Sequence, residues 1–357
     1  MDVLAEIQGI RYSPKLCHKL NKYKISKINE ALSKHGSFIL VLNNKKRIAL
    51  SWWVSPKRTR SYPYARVYDT LNFEGKKITI IPIMKDEGKD GDRDFLQWDT
   101  ISLMSLLGIY VIVGYYKSAE KSKRYNNKIS NQKFDLQYIK KKIEEILSFQ
   151  SDALHWNLNE IEEVGGIAKK ALCAYEKISK DLEIKMHSKE FAEMRIGEII
   201  KGKENFIQFS RKLAKMAQKR ESVTKQPKEK LVGSKATLTI KNFLGGYYFF
   251  TCDEVKIENE FIYLIEGKHS KQSLIPSLED IKDGLLKMIL FTNLKEVKVE
   301  NKKYIPIPIL KLTSDFVFNE KKLNASQVEL FKLMKEEAKE NGFEITINNK
   351  KIEEYCF

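Results

Sequence analysis

Tyr247-Tyr248-Phe249-Phe250-Thr251-Cys252-Asp253, then Glu258-Asn259-Glu260, then Phe261-Ile262-Tyr263-Leu264-Ile265-Glu266-Gly267-Lys268, is the segment around which the rest of the sequence is organised. Two apolar runs rich in aromatic and β-branched residues, separated by a short polar break, read as the two strands of a hairpin. Asn259-Glu260 suits a two-residue turn because Asn tolerates the positive φ that such turns demand. With that turn Asp253 stands opposite Glu266 and Thr251 opposite Lys268. Directly opposed residues share a face of the sheet, so two carboxylates and one ammonium are expected close together.

Facing carboxylates repel unless a cation lies between them. Mg²⁺ is a hard ion that takes oxygen ligands, keeps several waters and is usually held by one or two carboxylates plus a substrate phosphate. Such an ion polarises a phosphoryl oxygen and lowers the pKa of a bound water, and Lys268 can orient that water and offset charge building on phosphorus. These residue types point to phosphodiester hydrolysis. The alternative is a solvated hairpin end with a surface ion pair, which is worth little. Glu-x-Lys alone decides nothing, since it occurs nine times in the chain. Only the copy at Glu266 ends an apolar strand, has an Asp across a hairpin and leads into a capped amphipathic helix.

That helix is expected to begin in Pro276-Ser277-Leu278-Glu279-Asp280, with Ser277 as N-cap and Asp280 at the capping-box position. Leu278, Ile281, Leu285, Met288 and Ile289 form its apolar stripe. Glu296 to Val299 and Ile305 to Leu310 read as further extended segments. Asp253 followed thirteen positions later by Glu266-Gly267-Lys268, in the order strand, strand, helix, strand, resembles the PD-(D/E)XK nuclease superfamily, typified by type II restriction endonucleases. The resemblance runs roughly from Leu238 to Leu310. It implies a Mg²⁺-dependent endonuclease acting on double-stranded DNA, with Asp253 and Glu266 as metal ligands and Lys268 as the catalytic lysine. Cys252 stands where the family commonly has Pro. Cutting both strands of a short symmetric site makes a homodimer the economical expectation, and the cognate methyltransferase is expected as a separate protein. The alternatives are a structure-specific repair or recombination nuclease of the same superfamily and a non-enzymatic DNA-binding protein.

The chain has 357 residues and a net charge of +17, a balance that favours a polyanionic partner through counterion release. Charge alone does not separate nucleic acid from an anionic membrane. The longest apolar run, Ile101 to Tyr116, contains Gly108 and Gly114 and is too short to span a bilayer, and no signal peptide opens the sequence. A soluble cytoplasmic protein is expected. Four dispersed cysteines and five scattered histidines lack metal-ligand spacing, so the cysteines are expected to be reduced.

From Arg11 to Arg60 thirteen Lys or Arg face a single Glu30, interleaved with Tyr12, Tyr23, Phe38, Trp52, Trp53, Tyr62 and Tyr64. This patch is expected to hold DNA, with Lys57, Arg58 and Arg60 in a turn able to reach phosphates or base edges. The alternative is a solvated basic face with Trp52 and Trp53 partly in the core. Lys271, just past the motif strand, and Lys212 and Lys215, beside the apolar stripe Phe206, Phe209, Leu213, Met216, are further candidate DNA contacts.

Ile78 to Met84 reads as a buried strand, Phe95 to Leu107 as a helix and Ile109 to Tyr116 as a strand. That order repeats the C-terminal half. A degenerate second nuclease core is therefore an alternative, with Asp69, Lys85, Asp94 and Asp99 as its site and Ile83 where the Glu should stand. Gly108-Ile109-Tyr110 does not open a GIY-YIG nuclease, because Val111 to Gly114 continues the same strand. Ser118 to Lys133 reads as a long polar loop, and 222–233 as a linker. Helices are expected over Phe134 to Phe149, Leu158 to Lys180, Glu190 to Lys201 and Ala325 to Glu340, with a terminal hairpin at Asn348-Asn349. The expected class is α/β, mixed, in three parts: a basic N-terminal domain (1–130), a helical region with a basic linker (131–235) and a nuclease core (236–357).

Overall fold

The computed structural model describes residues 1–42, 46–56, 61–223, 234–242 and 247–355. It is a mixed α/β structure whose contacts divide into two units. One comprises Met1–Lys19 with Leu213–Phe357, the other Leu20–Lys212. This division differs from segments 1–130, 131–235 and 236–357, because the first strand of the chain is built into the C-terminal sheet.

That sheet contains β1 (Asp2–Ile7), β2 (Ser234–Asn242), β3 (Tyr247–Glu258), β4 (Phe261–Ser270), β5 (Lys295–Val299), β6 (Lys302–Lys303), β7 (Ile305–Ser314), β8 (Glu344–Ile347) and β9 (Lys350–Lys351). Their order is β6-β5-β1-β2-β3-β4-β7-β8-β9. β2, β3 and β4 form an antiparallel meander. β7 lies parallel to β4 and β8 parallel to β7. A parallel neighbour needs a crossover connection, and the helix Leu278–Phe291 supplies it between β4 and β7. β1 pairs in parallel with β2 on one side and antiparallel with β5 on the other, burying Val3, Ala5 and Ile7.

The turn between β3 and β4 forms as the residues dictate: Glu258 pairs with Phe261 and Asn259 has φ 58°. Ser277 caps the crossover helix by accepting from the Asp280 amide at 3.2 Å. Ile281, Leu285, Met288 and Ile289 are buried as the stripe requires, but Leu278 is exposed. The helix Lys203–Val223 buries Phe206, Ser210, Ala214 and Gln218, whereas Met216 is exposed. Its inward face therefore follows an i, i+4 row rather than the expected stripe. Gln218 explains the choice: its amide nitrogen donates to Leu238 O at 3.0 Å and Phe250 O at 2.6 Å, meeting backbone acceptors that an apolar residue would leave unpaired.

The other unit has a five-stranded sheet, in the order Lys22–Lys24, Ser37–Val41, Arg47–Trp52, Lys77–Pro82, Ile109–Gly114. The last three are mutually parallel. The helix Trp98–Leu106 joins the final two; Phe95, expected in that helix, belongs to the strand Arg93–Phe95. A 30-residue helix, Ala153–Leu182, lies along Ile109–Gly114 and blocks its open edge. Asn157 Oδ1 accepts from Val111 N at 2.7 Å and Trp156 Nε1 donates to Val111 O at 2.7 Å, so the edge cannot recruit another strand. The polar stretch from Ser118 to Lys133 is not a loop: Tyr116–Lys121 and Ile129–Phe134 pair as antiparallel strands. Helices over Leu136–Ser148, Lys189–Ile200 and Ala325–Asn341 and the terminal turn at Asn348-Asn349, both with positive φ, match expectation. The linker expected at 222–233 lies mostly outside the described residues.

Candidate active site

The β3–β4 ladder runs in the expected register from Glu258–Phe261 to Glu254–Ile265 and ends there, one step before Asp253 would pair with Glu266. The cause is a bulge on the other side of β3, where the register with β2 shifts between Ser234–Val255 and Ala236–Cys252 by one extra β3 residue. A bulge re-aims side chains and interrupts pairing. Side chains then take over the lost backbone bonds. Gly267 N donates to Asp253 Oδ2 at 3.0 Å, and the buried Cys252 thiol lies 3.3 Å from Ile265 O. Asp253 is therefore joined to the motif strand through its carboxylate. Thr251, expected opposite Lys268, pairs with Thr237 of β2.

Glu266 and Lys268 occupy the face of β4 covered by the crossover helix. Gly284 of that helix permits the approach: a Cβ there would lie 2.5 Å from Leu310 Cδ1 and 3.4 Å from Lys268 Cε. Two residues not anticipated from sequence, Asp283 and Lys287, descend from the helix to complete a row of alternating charge. Lys287 Nζ is 2.7 Å from Glu266 Oε2, Lys268 Nζ is 3.0 Å from Glu266 Oε1, and Lys268 Nζ also donates to Asp283 Oδ2. Glu266 is 1% exposed. On the opposite face a second buried pair, Lys311 and Glu254, lies 3.4 Å apart.

The electrostatics follow from this order. Burial alone would raise the Glu266 carboxyl, but Lys287 and then Lys268 outweigh it and hold its pKa at about 2. Burial opposes the charge of Lys268, yet Glu266 and Asp283 prevail and its pKa lies above the ordinary lysine value. Lys287 is raised for the same reason, by Glu266 first and Asp253 next, against its burial. Asp283 is displaced upward by burial despite Lys268 and Lys287, since Glu266 also repels it. Glu266 is thus the most firmly ionised carboxylate of the row, and both lysines are ammonium ions at neutral pH.

No group of three or more His, Cys, Asp or Glu able to hold a metal occurs among the described residues. The oxygens in place are those of half-buried Asp253 and buried Glu266. A hard donor set of two carboxylates fits a Mg²⁺ ion that completes its shell with water and phosphate.

The other candidates are distributed unevenly. Lys271 is exposed and lines an open groove of about 590 Å³ beside the end of β4, together with His269, Gln272, Ser273 and Gln327. Lys212 and Lys215 are exposed, and Lys57, Arg58 and Arg60 lie outside the described residues. Among the aromatics of the basic region Phe38, Trp53 and Tyr64 are buried, and Tyr12 and Tyr23 are half-buried. Trp52 is half-buried and is covered by the Arg66 guanidinium, 4.5 Å from its ring.

The N-terminal half keeps the expected order of strand, helix and strand, but its strand pairing differs from that of the C-terminal sheet. Lys77–Pro82 has parallel neighbours on both sides, whereas β4 has an antiparallel and a parallel one. Lys85 and Asp94 do come together, on paired strands, in a cleft of about 280 Å³ with Ser55, Arg66, Glu87 and Asp92. There Lys85 pairs with Glu87, and Ser55 Oγ donates to Asp94 Oδ2 at 2.7 Å. Asp69 follows the helix Ser61–Tyr68 and Asp99 lies in the first turn of Trp98–Leu106; both are buried, and neither lines that cleft. Of the four candidates, the structure thus brings Lys85 and Asp94 to one cleft and places Asp69 and Asp99 apart from it.

Comparison with protein families, with curated proteins and with solved structures finds no match to this chain. Among the described residues no helix is long and apolar enough to cross a membrane.

Proposed function

We propose that the unit containing Glu266 is a Mg²⁺-dependent endonuclease of the PD-(D/E)XK type, acting on double-stranded DNA as a type II restriction enzyme does. The observation that carries this reading is the set Asp253, Glu266 and Lys268 at the point where β3 and β4 part. It lies on a sheet whose antiparallel meander, crossover helix and parallel strand follow the order that superfamily implies. Asp253 and Glu266 would hold the ion. Bound there, Mg²⁺ supplies Lewis acidity to the scissile phosphate and to a water.

The chain's own groups do the rest. Lys268, held as an ammonium between Glu266 and Asp283, donates hydrogen bonds to the attacking water or a non-bridging oxygen and does not act as a base. A preorganised donor of this kind stabilises charge that develops on phosphorus. Lys271, which lines the groove beside β4, would meet the backbone of the bound strand. A net charge of +17 supports polyanion binding, and a homodimer served by a separate methyltransferase completes the reading. The experiment is digestion of unmethylated phage DNA in MgCl₂, beside Lys268→Ala. Discrete bands lost in the variant support site-specific cleavage here; bands that survive it place the chemistry elsewhere.

A further inference from the structure

The row Lys287–Glu266–Lys268–Asp283 raises a question that the nuclease reading leaves open, because both oxygens of the buried Glu266 already hold ammonium groups. An incoming cation that takes Glu266 is repelled by both ammonium groups and competes with them for the same oxygens. The two lysines are not equivalent. Among the described residues Lys268 has two carboxylate partners, Glu266 and Asp283, whereas Lys287 is hydrogen-bonded to Glu266 alone. The backbone beneath Lys268 is strand, paired to β7 at Leu312, while Lys287 reaches down on a long side chain from the helix one turn beyond Gly284.

Resting on the nuclease reading, we propose that Lys287 is a resident counter-ion that occupies the cation seat of Glu266 in the metal-free protein and is expelled when a divalent ion binds. Lys268 stays on the strand. The device keeps a buried, ionised glutamate compensated between catalytic cycles, since an unpaired buried charge is strongly destabilising. Its cost is weaker metal binding in the absence of substrate, because the ion competes with a covalently tethered ammonium. The expelled lysine is then available to a phosphate oxygen, which couples metal uptake to the presence of DNA.

The test is isothermal titration of Mg²⁺ into metal-stripped protein without DNA, comparing wild type with Lys287→Met, Lys287→Gln and Lys287→Arg, each checked for folding by thermal melting. Removing the competing charge should tighten Mg²⁺ binding roughly tenfold to a hundredfold, the range of one charge-assisted hydrogen bond. Lys287→Arg should retain the weak wild-type affinity. Should Lys287→Met fail to fold, Lys287→Gln, which keeps a hydrogen-bond donor, carries the comparison. Equal or weaker Mg²⁺ binding in the uncharged variants overturns the counter-ion role while leaving a metal site in place. Folded proteins that all bind no Mg²⁺ overturn both this role and the nuclease reading.

Discussion

At the scale of single residues the candidate site is a balance of buried charges, and substitutions should be read as changes in that balance. Glu266→Ala leaves Lys268 with Asp283 alone and Lys287 without its carboxylate. Breaking a buried pair from one side costs about 3–5 kcal/mol; urea denaturation should show a loss of that size in the metal-free protein. Gly284→Ala should also destabilise, by about 1–3 kcal/mol, because the added methyl meets Leu310 in a fully packed region and overpacking outweighs the gain in helix propensity. Thermal melting at one pH decides this, and an unchanged or raised midpoint would show that the helix can shift freely. The sequence made Glu266 and Lys268 legible because they end an apolar strand behind a recognisable turn. Asp283 and Lys287 were not legible: spaced i, i+4 on a helix, they read as an ordinary exposed ion pair. Only the closeness that Gly284 allows turns them inward.

At the scale of elements, local signals were reliable wherever one short segment decided the outcome. Asn259 fixed the hairpin turn and Ser277 the helix start. The bulge at Asp253 was hidden because it depends on the pairing of β3 with β2, and neither strand alone encodes a one-residue slip. The hairpin 116–134 was missed for a different reason: Tyr116–Lys121 and Ile129–Phe134 bury only their end residues, so no period-two apolar pattern marks them. In the same unit the helices Leu136–Ser148 and Ala153–Leu182 are tied by Lys142, 2.6 Å from both Glu160 and Glu163. Burial raises the Glu160 carboxyl to about 7, with Lys142 opposing. Lys142 also lies 3.3 Å from Glu145, so three carboxylates share one ammonium. A folded pKa above the unfolded value means that the native state binds the extra proton, so this site's stability is present below about pH 4.5 and is lost as pH rises through 7. Stability curves from pH 5 to 8 should therefore fall for wild type by about 2–3 kcal/mol more than for Glu160→Gln. Parallel curves would show that Glu160 is ionised throughout.

For the molecule as a whole, the informative fact is that the first strand belongs to the last sheet. β1 lies between β5 and β2, so deletion of residues 1–19 removes an interior strand and should abolish cooperative unfolding of the Leu213–Phe357 unit, measured by circular dichroism. No sequence pattern joins Asp2–Ile7 to Ser234–Asn242 across more than two hundred residues, which is why this division of the chain was not legible. Binding to DNA should weaken steeply with salt, as counterion release requires of a chain carrying +17. If Asp253 and Glu266 together hold the metal that makes the cut, Asp253→Asn is the decisive variant. The amide oxygen of Asn can still accept from Gly267 N, so the local fold is kept while the metal-binding charge is removed. In Mg²⁺, with double-stranded DNA, wild type should cleave and a folded Asp253→Asn variant should not. Equal cleavage by the two proteins would mean that Asp253 does not hold the metal.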